Sequence, residues 1–144
     1  MLGMYVLNMR VWHVDWHSTH QLIAGLLFFT SLLLVLFGVA QLLLSGKPDT
    51  NRNDAPLLEF EKTTILVTTG LYRYIRHPIY GSLFLLSWGL FFKQPSLVGG
   101  ILAIIASSFL VATSRVEEAE NLNYFGEKYR KYMKRTKMFI PFIL

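Results

Sequence analysis

The sequence predicts an all-α integral membrane protein with about three transmembrane helices and a C-terminal cytoplasmic helical tail. Two of the helices form a hairpin. Three observations lead there. The 144 residues are 53% hydrophobic and only 16% charged, against about 25% charged in a typical soluble domain. One apolar stretch is as long as a bilayer core is thick. Two shorter apolar runs flank a polar turn. Mean hydropathy is +0.40, so neither a disordered chain nor an ordinary soluble domain fits, and the length allows one domain.

Residues 1–20 form the first segment. Tyr5–Trp16 is aromatic and half polar, which fits an interfacial helix. From residue 21 to 144 the chain reads as a single membrane domain with spans at about 22–44, 79–92 and 97–113. Leu22–Leu44 is interrupted only by Gly, Ser, Thr and Gln, and a bilayer core needs about 20 such residues. The run is too long for a signal peptide, and three His and Asp15 precede it. Ile79–Phe92 and Leu97–Thr113 are separated by Lys93, Gln94, Pro95 and Ser96, a turn that makes them a helical hairpin. Ile79–Phe92 reaches only about 21 Å against a core of about 30 Å. Two options follow: the helix extends back into Tyr72–Pro78, or that segment lies recessed and creates a pocket.

Charge sets the topology. The Ser45–His77 connection holds five of the 14 Lys and Arg, and the tail from Arg115 holds seven. The hairpin turn holds Lys93 alone, and the N-terminal stretch Arg10 alone. The hairpin puts both rich segments on one side, and the positive-inside rule makes that side cytoplasmic. Net charge is +5. In so apolar a chain the expected partner is an anionic membrane surface and not nucleic acid. There is no cysteine, which excludes disulfides, thiolate metal sites, iron–sulfur clusters, a Cys nucleophile and a lipidated Cys.

Two motifs carry chemistry. In Gly70-Leu71-Tyr72-Arg73-Tyr74-Ile75-Arg76-His77-Pro78-Ile79-Tyr80-Gly81, Pro78 suits the first turn of a helix, where its missing N–H costs nothing. Arg76 and His77 then sit at a helix N-terminus, whose free N–H groups and partial positive charge favour a carboxylate or phosphate. The alternative makes Arg73 and Arg76 membrane anchors with an aromatic belt of Tyr72, Tyr74 and Tyr80. The second motif is Arg115-Val116-Glu117-Glu118, followed by Phe125-Gly126-Glu127-Lys128-Tyr129. Its bland reading is a solvated helix end with Arg115 and Glu118 paired at i,i+3. The hairpin, however, returns Glu117 and Glu118 to the membrane face of Arg76 and His77. One pocket then has a cationic half and an acidic half, suited to a small zwitterion with hydroxyls. S-adenosylmethionine has those features. Its carboxylate suits Arg76, His77 and the helix N-terminus; its ammonium or ribose suits Glu117 or Glu118; its sulfonium suits a Tyr face.

The run Leu66–Gly81 resembles the cofactor motif of the integral-membrane methyltransferases, the family of isoprenylcysteine carboxyl methyltransferase and the phospholipid methyltransferases. The family pattern is Arg-His-Pro-x-Tyr, a hydrophobic hairpin, Glu-Glu and Phe-Gly-x-x-Tyr. Here it is met by Arg76-His77-Pro78-Ile79-Tyr80, Glu117-Glu118 and Phe125-Gly126-x-x-Tyr129, with Met138-Phe139-Ile140-Pro141 matching the ending. The resemblance covers roughly Leu66–Pro141, about half the chain. It implies binding of S-adenosyl-L-methionine by Arg76, His77, Tyr80, Glu117 and Glu118, with Arg76 and Glu118 as catalytic candidates. It also implies a lipidic or prenylated small acceptor entering from the bilayer. Asn121 stands where the family often has Leu, a packing variation. Many relatives carry further spans ahead of the first one here, so the acceptor wall is reduced or comes from another subunit; a homo-oligomer stays open.

For an in-line methyl transfer the protein mainly positions the reactants and excludes water. A carboxylate acceptor needs no base, and Arg76 or Arg115 holds it. An amine must lose a proton, to Glu118, His77 or Tyr129. The leading reading is methylation in the style of isoprenylcysteine carboxyl methyltransferase. The alternatives are phospholipid N-methylation and a non-catalytic assembly protein with a vestigial cofactor site. Among weaker signals, His13, His17 and His20 share a helical face, but an interfacial segment tolerating His is favoured and no metal is assigned. Gly81, Ser82, Gly89, Gly99, Gly100, Ala103, Ala106 and Ser107 form small-residue stripes for close helix packing. The basic tail with Tyr129, Tyr132 and Met133 either lies on anionic lipid or is a solvated helix.

Overall fold

A computed structural model of the chain describes residues 18–47 and 63–141. Among these the order is α1 (Thr19–Ser45), a 3-10 turn (Gly70–Arg73), α2 (Pro78–Lys93), α3 (Leu97–Phe125) and α4 (Glu127–Met133). The class is all-α, as expected. The interfacial segment expected over 1–20 lies outside the described residues up to position 17, taking His13 and His17 with it. Residues 48–62 of the polar connection lie outside them too.

Ser18 caps α1, its hydroxyl accepting from Gln21 N at 3.4 Å. Twenty-seven residues give α1 a length of about 40 Å, and the 29 of α3 give about 43 Å. Both exceed a bilayer core of about 30 Å. Both are apolar on the outside: Leu26, Phe29, Phe37, Ile104 and Phe109 are exposed, and only 17% of the apolar window of each helix is buried. A soluble core helix would bury that surface. Exposure on this scale needs lipid as the solvent, so the protein belongs in a membrane.

α2 has 16 residues, about 24 Å. It begins at Pro78 and does not extend back into Tyr72–His77, so the first of the two options fails, and Tyr72, Arg76 and His77 line a pocket. α2 runs antiparallel to α1 along its whole length. Gln21 Nε2 donates to Lys93 O at 3.1 Å at one end, and Ser31 Oγ to Ser82 O at 2.7 Å in the middle. At the other end Gly38 meets Pro78: a Cβ on Gly38 would lie 3.2 Å from the Pro78 ring. Gly89 admits the Phe28 ring in the same way, since a Cβ there would lie 2.7 Å from it. Of the small-residue stripe expected on this helix, Ser82 and Gly89 therefore pack against α1, whereas Gly81 admits the tail, a Cβ there lying 3.2 Å from Phe139 O.

The turn at Gln94–Ser96 closes the hairpin, and Ser96 caps α3 by accepting from Gly99 N at 3.0 Å. Trp88 Nε1 donates to Ser107 Oγ at 3.2 Å, tying α2 to α3. Leu90 and Ala103 form the buried centre of this contact, with Phe28, Trp88 and Phe91 around it. Beyond Thr113 the apolar character of α3 ends, but the helix continues through Glu117 and Glu118 to Phe125. Gly126, at φ +59° and ψ −131°, breaks it and sends α4 back toward the 3-10 turn.

Candidate functional site

The site lies where the segment before α2, the end of α3 and the tail meet. Tyr74 closes the 3-10 turn with φ −112° and ψ −39°, and His77, ahead of the proline, has left the helical region at φ −123° and ψ 65°. The tail pairs with residues 74–77: Lys137 N donates to Tyr74 O (2.9 Å), Arg76 N to Lys137 O (2.8 Å) and His77 N to Met138 O (3.0 Å). This is the parallel bridge of Ile75 with Lys137. Below it Phe139 is 2% exposed and stacks on Phe84 of α2, centroids 6.1 Å apart. Its ring also lies 6.3 Å from that of His77. Tyr132 of α4 donates from its hydroxyl to Tyr72 O at 2.6 Å.

These contacts place four charged side chains in one cluster. Arg76 Nε donates to Glu118 Oε1 at 2.5 Å. Its Nη1 donates to Thr136 O at 2.5 Å, and to Met133 O and Thr136 Oγ1 at 3.3 Å. His77 lies between the carboxylates, with Nε2 3.3 Å from Glu118 Oε1 and Nδ1 3.6 Å from Glu117 Oε2. The His77 side chain is 2% exposed; Arg76, Glu117 and Glu118 are 9–10% exposed. Burial alone would lower the His77 pKa. The two carboxylates overcome that and push it up to about 9, so the imidazolium persists at neutral pH. The cluster of one guanidinium, one imidazolium and two carboxylates is balanced.

Glu117 Oε2 is buried without a hydrogen bond, because 3.6 Å to His77 Nδ1 is too long for one. Glu117 lines a cleft together with Arg76, His77, Tyr80, Asn121, Phe125 and Tyr129 and the apolar Leu42, Val67 and Ile79. The cleft encloses about 50 Å³, well below the about 300–1,000 Å³ of small-molecule sites, so a ligand of that size requires it to open. α2 begins at Pro78, and its N-cap residue His77 makes no side-chain capping hydrogen bond, which leaves the positive end of the helix dipole beside the cleft. Burial pushes the Tyr129 phenol up, and the two glutamates add to it; burial pushes Tyr132 up as well.

Of the five residues singled out in the sequence, Arg76, His77, Tyr80 and Glu117 line the cleft. Glu118 does not: it stands behind Arg76 and His77 and holds both. The i,i+3 pair of Arg115 with Glu118 is not formed, since Glu118 faces Arg76 instead and Arg115 lies exposed at the hairpin groove. Tyr129 and Tyr132, read from the sequence as residues of a lipid-facing or solvated tail helix, are buried. Asn121, read as a packing variation, lines the cleft. Its signal was available: Glu117, Asn121 and Phe125 are spaced i, i+4 and i+8 and so share one helix face. The role of Thr136 had no sequence signal, because its carbonyl and hydroxyl meet Arg76 across 60 positions of chain.

A family model described as phospholipid methyltransferase matches residues 19–128. Protein-S-isoprenylcysteine O-methyltransferase of Mus musculus is 33% identical over 120 residues, covering 79% of this chain and 41% of the relative. The Homo sapiens protein of the same name is 33% identical over 119 residues, with the same coverage. Methanethiol S-methyltransferase of Pseudomonas deceptionensis is 26% identical over 147 residues, covering 94% of this chain and 51% of the relative. The chain spans about half the length, or less, of these curated relatives. No solved structure matches it significantly. The family match begins at the first residue of α1 and runs into α4, taking in both the Arg76–Tyr80 segment and the Glu117–Glu118 pair, and on that match the chain belongs to the phospholipid methyltransferase family.

Proposed function

We propose that this chain is an S-adenosyl-L-methionine-dependent methyltransferase that acts on a lipidic acceptor reaching it from the bilayer. The observation that carries the reading is the buried Glu117 carboxylate oxygen without a hydrogen-bond partner, in a cleft that also holds a charged imidazole and an uncapped helix N-terminus. That oxygen makes no hydrogen bond although the His77 imidazolium lies 3.6 Å from it, so it has room for one donor more. The ammonium of S-adenosylmethionine supplies one, and its carboxylate suits the positive end of α2 with the His77 imidazolium beside it. The aromatic faces of Tyr80 and Phe125 suit the sulfonium. Arg76 and Glu118 hold His77 and the tail in place around the cleft. The bound cofactor supplies an electrophilic methyl group; the chain's work is to bind, orient and exclude water.

The protonation states favour a carboxylate acceptor over an amine. An amine must lose a proton, but His77 is already protonated at neutral pH and the Tyr129 phenol holds its own. Glu118 is engaged by Arg76 and His77, and in this reading Glu117 meets the cofactor. A carboxylate has no proton to lose. The groove between α2 and α3, lined by Phe84, Trp88, Ile104 and Val111 with Arg115 at one end, suits an apolar acceptor with an anionic head. The distribution of Lys and Arg supports a topology of three spans with the cleft and tail on the cytoplasmic side.

The test is calorimetric titration of the detergent-purified full chain with S-adenosylhomocysteine, wild type beside Glu117→Gln. The expected result is binding on the order of micromolar for the wild type, weakened at least about tenfold in the variant. A folded wild type that binds nothing would sink the reading. The acceptor class then follows from labelled methyl transfer: an alkali-labile ester marks a carboxylate, and label in phosphatidylethanolamine marks an amine and overturns the preference argued above.

A further inference from the structure

A second cleft lies back to back with the first, across Tyr132. Thr68, Thr69, Gly70, Arg73 and Tyr74 form one wall, and Lys128, Lys131, Arg135 and Thr136 form the other. Its character is the reverse of the cofactor cleft. Four cations line it and no carboxylate does. Among the described residues none of the four pairs with an acid, whereas Arg130, next to them on α4, pairs with Glu127 at 3.0 Å. Hydroxyl groups of Thr68 and Thr69 lie on the facing wall. Cations held together with hydroxyls and no counter-charge form a site for a multiply acceptor-bearing anion, of which phosphate is the commonest.

Depth in the membrane says which phosphate. Gln41 of α1 fixes the Gly70 turn: its Nε2 donates to Thr69 Oγ1 and its Oε1 accepts from Leu71 N, both at 3.1 Å. The cleft wall is thus level with Gln41, one turn before the end of α1. Leu43 and Leu44, beyond Gln41, are still 54% and 85% exposed, so the lipid-facing apolar surface extends at least to the depth of the cleft. Tyr74, half exposed with Arg73 5.9 Å from its ring, is the kind of aromatic side chain found at the headgroup level.

We propose that the cleft between residues 68–74 and 128–136 binds the phosphate of an anionic membrane lipid headgroup. Occupation would tie α4 and the 3-10 turn together on the far side of Tyr132. That braces the same tail whose Thr136 carbonyl holds Arg76.

The probe is the full chain in detergent mixed with increasing dioleoyl phosphatidylglycerol, dioleoyl phosphatidylcholine or inorganic phosphate, read by the thermal unfolding midpoint. Phosphatidylglycerol is expected to raise the midpoint saturably and phosphatidylcholine to leave it unchanged. The variant Lys128→Gln/Arg135→Gln should need on the order of tenfold more phosphatidylglycerol for the same rise. The variant Lys134→Gln/Lys137→Gln removes the same charge outside the cleft and should match the wild type. Equal weakening of both variants would mean diffuse surface charge and overturns the site. Inorganic phosphate acting at the same concentrations as the lipid overturns the lipid assignment in favour of a soluble anion. A wild type indifferent to phosphatidylglycerol overturns it altogether. Should the double variant unfold, Lys131→Gln and the wild-type contrast of the two lipids decide the matter alone.

Discussion

His77 gives the protein a stability that depends on pH in a defined window. An unfolded histidine titrates near 6.5, whereas Glu117 and Glu118 hold His77 charged up to about 9. A group whose pKa is raised by folding stabilises the folded state fully below its unfolded pKa. That stabilisation is lost as pH rises through the folded value. The displacement from 6.5 to about 9 corresponds to roughly 3 kcal/mol, present at pH 6 and gone by about pH 9.5. The Tyr129 and Tyr132 phenols, pushed up by burial, stay protonated across the window. The assay is urea unfolding of the detergent-purified chain at half-unit steps from pH 6 to 9.5, for the wild type and His77→Gln. Subtracting the variant removes the exposed lysines and the detergent. The difference between the two should shrink steadily as pH rises. A constant difference, or one that grows, would refute the placement of a charged imidazole between the two carboxylates.

Two further substitutions test the tail. Phe139→Ala empties a position that is 2% exposed between Phe84 and His77 and should cost about 3–5 kcal/mol in urea unfolding; a loss below about 1 kcal/mol means that the tail does not dock. Gly126→Ala meets no atom within 4 Å of the new Cβ, so its cost is the backbone alone. At φ +59° and ψ −131° that cost is about 1–3 kcal/mol, and an unchanged unfolding midpoint would show that α4 does not need this turn.

What the sequence makes legible here is local or periodic. The long apolar run, the polar turn with Pro95 and the start of a helix at Pro78 are all signals carried within a few residues, and the helices begin and end close to them. The convergence of Arg76 and His77 with Glu117 and Glu118 was also readable, because a hairpin out and back must return the chain to the side it left. The tail was not. Its charges predict a solvated or lipid-bound helix, but α4 buries Tyr129 and Tyr132 on one face while its cations stay on the other. Which face turns inward depends on Tyr72 and Arg76, some 60 positions earlier. Backbone pairing between residues 74–77 and 137–138 leaves no trace in composition, since any side chains can sit on it.

The same distant pairing bears on why the charged cluster is built as it is. A buried ion pair contributes little net stability, because desolvation offsets most of the attraction. Here four ionised groups are buried together, and hydrophobic side chains would fill the volume at less cost. Yet the cluster is well tied: Arg76 spends Nε and Nη1 on Glu118 and the tail, His77 touches both acids, and Glu117 Oε2 is buried without a hydrogen bond. Packing gives no reason for that remainder. A ligand with one cationic donor does, since it would give Glu117 the bond it lacks. The Arg76 clamp on Thr136 then has a purpose beyond the tail itself: it fixes the guanidinium, which fixes Glu118, which together with Glu117 holds His77. Removing any link should therefore loosen the His77–Glu117 pair and the cleft wall that both residues form.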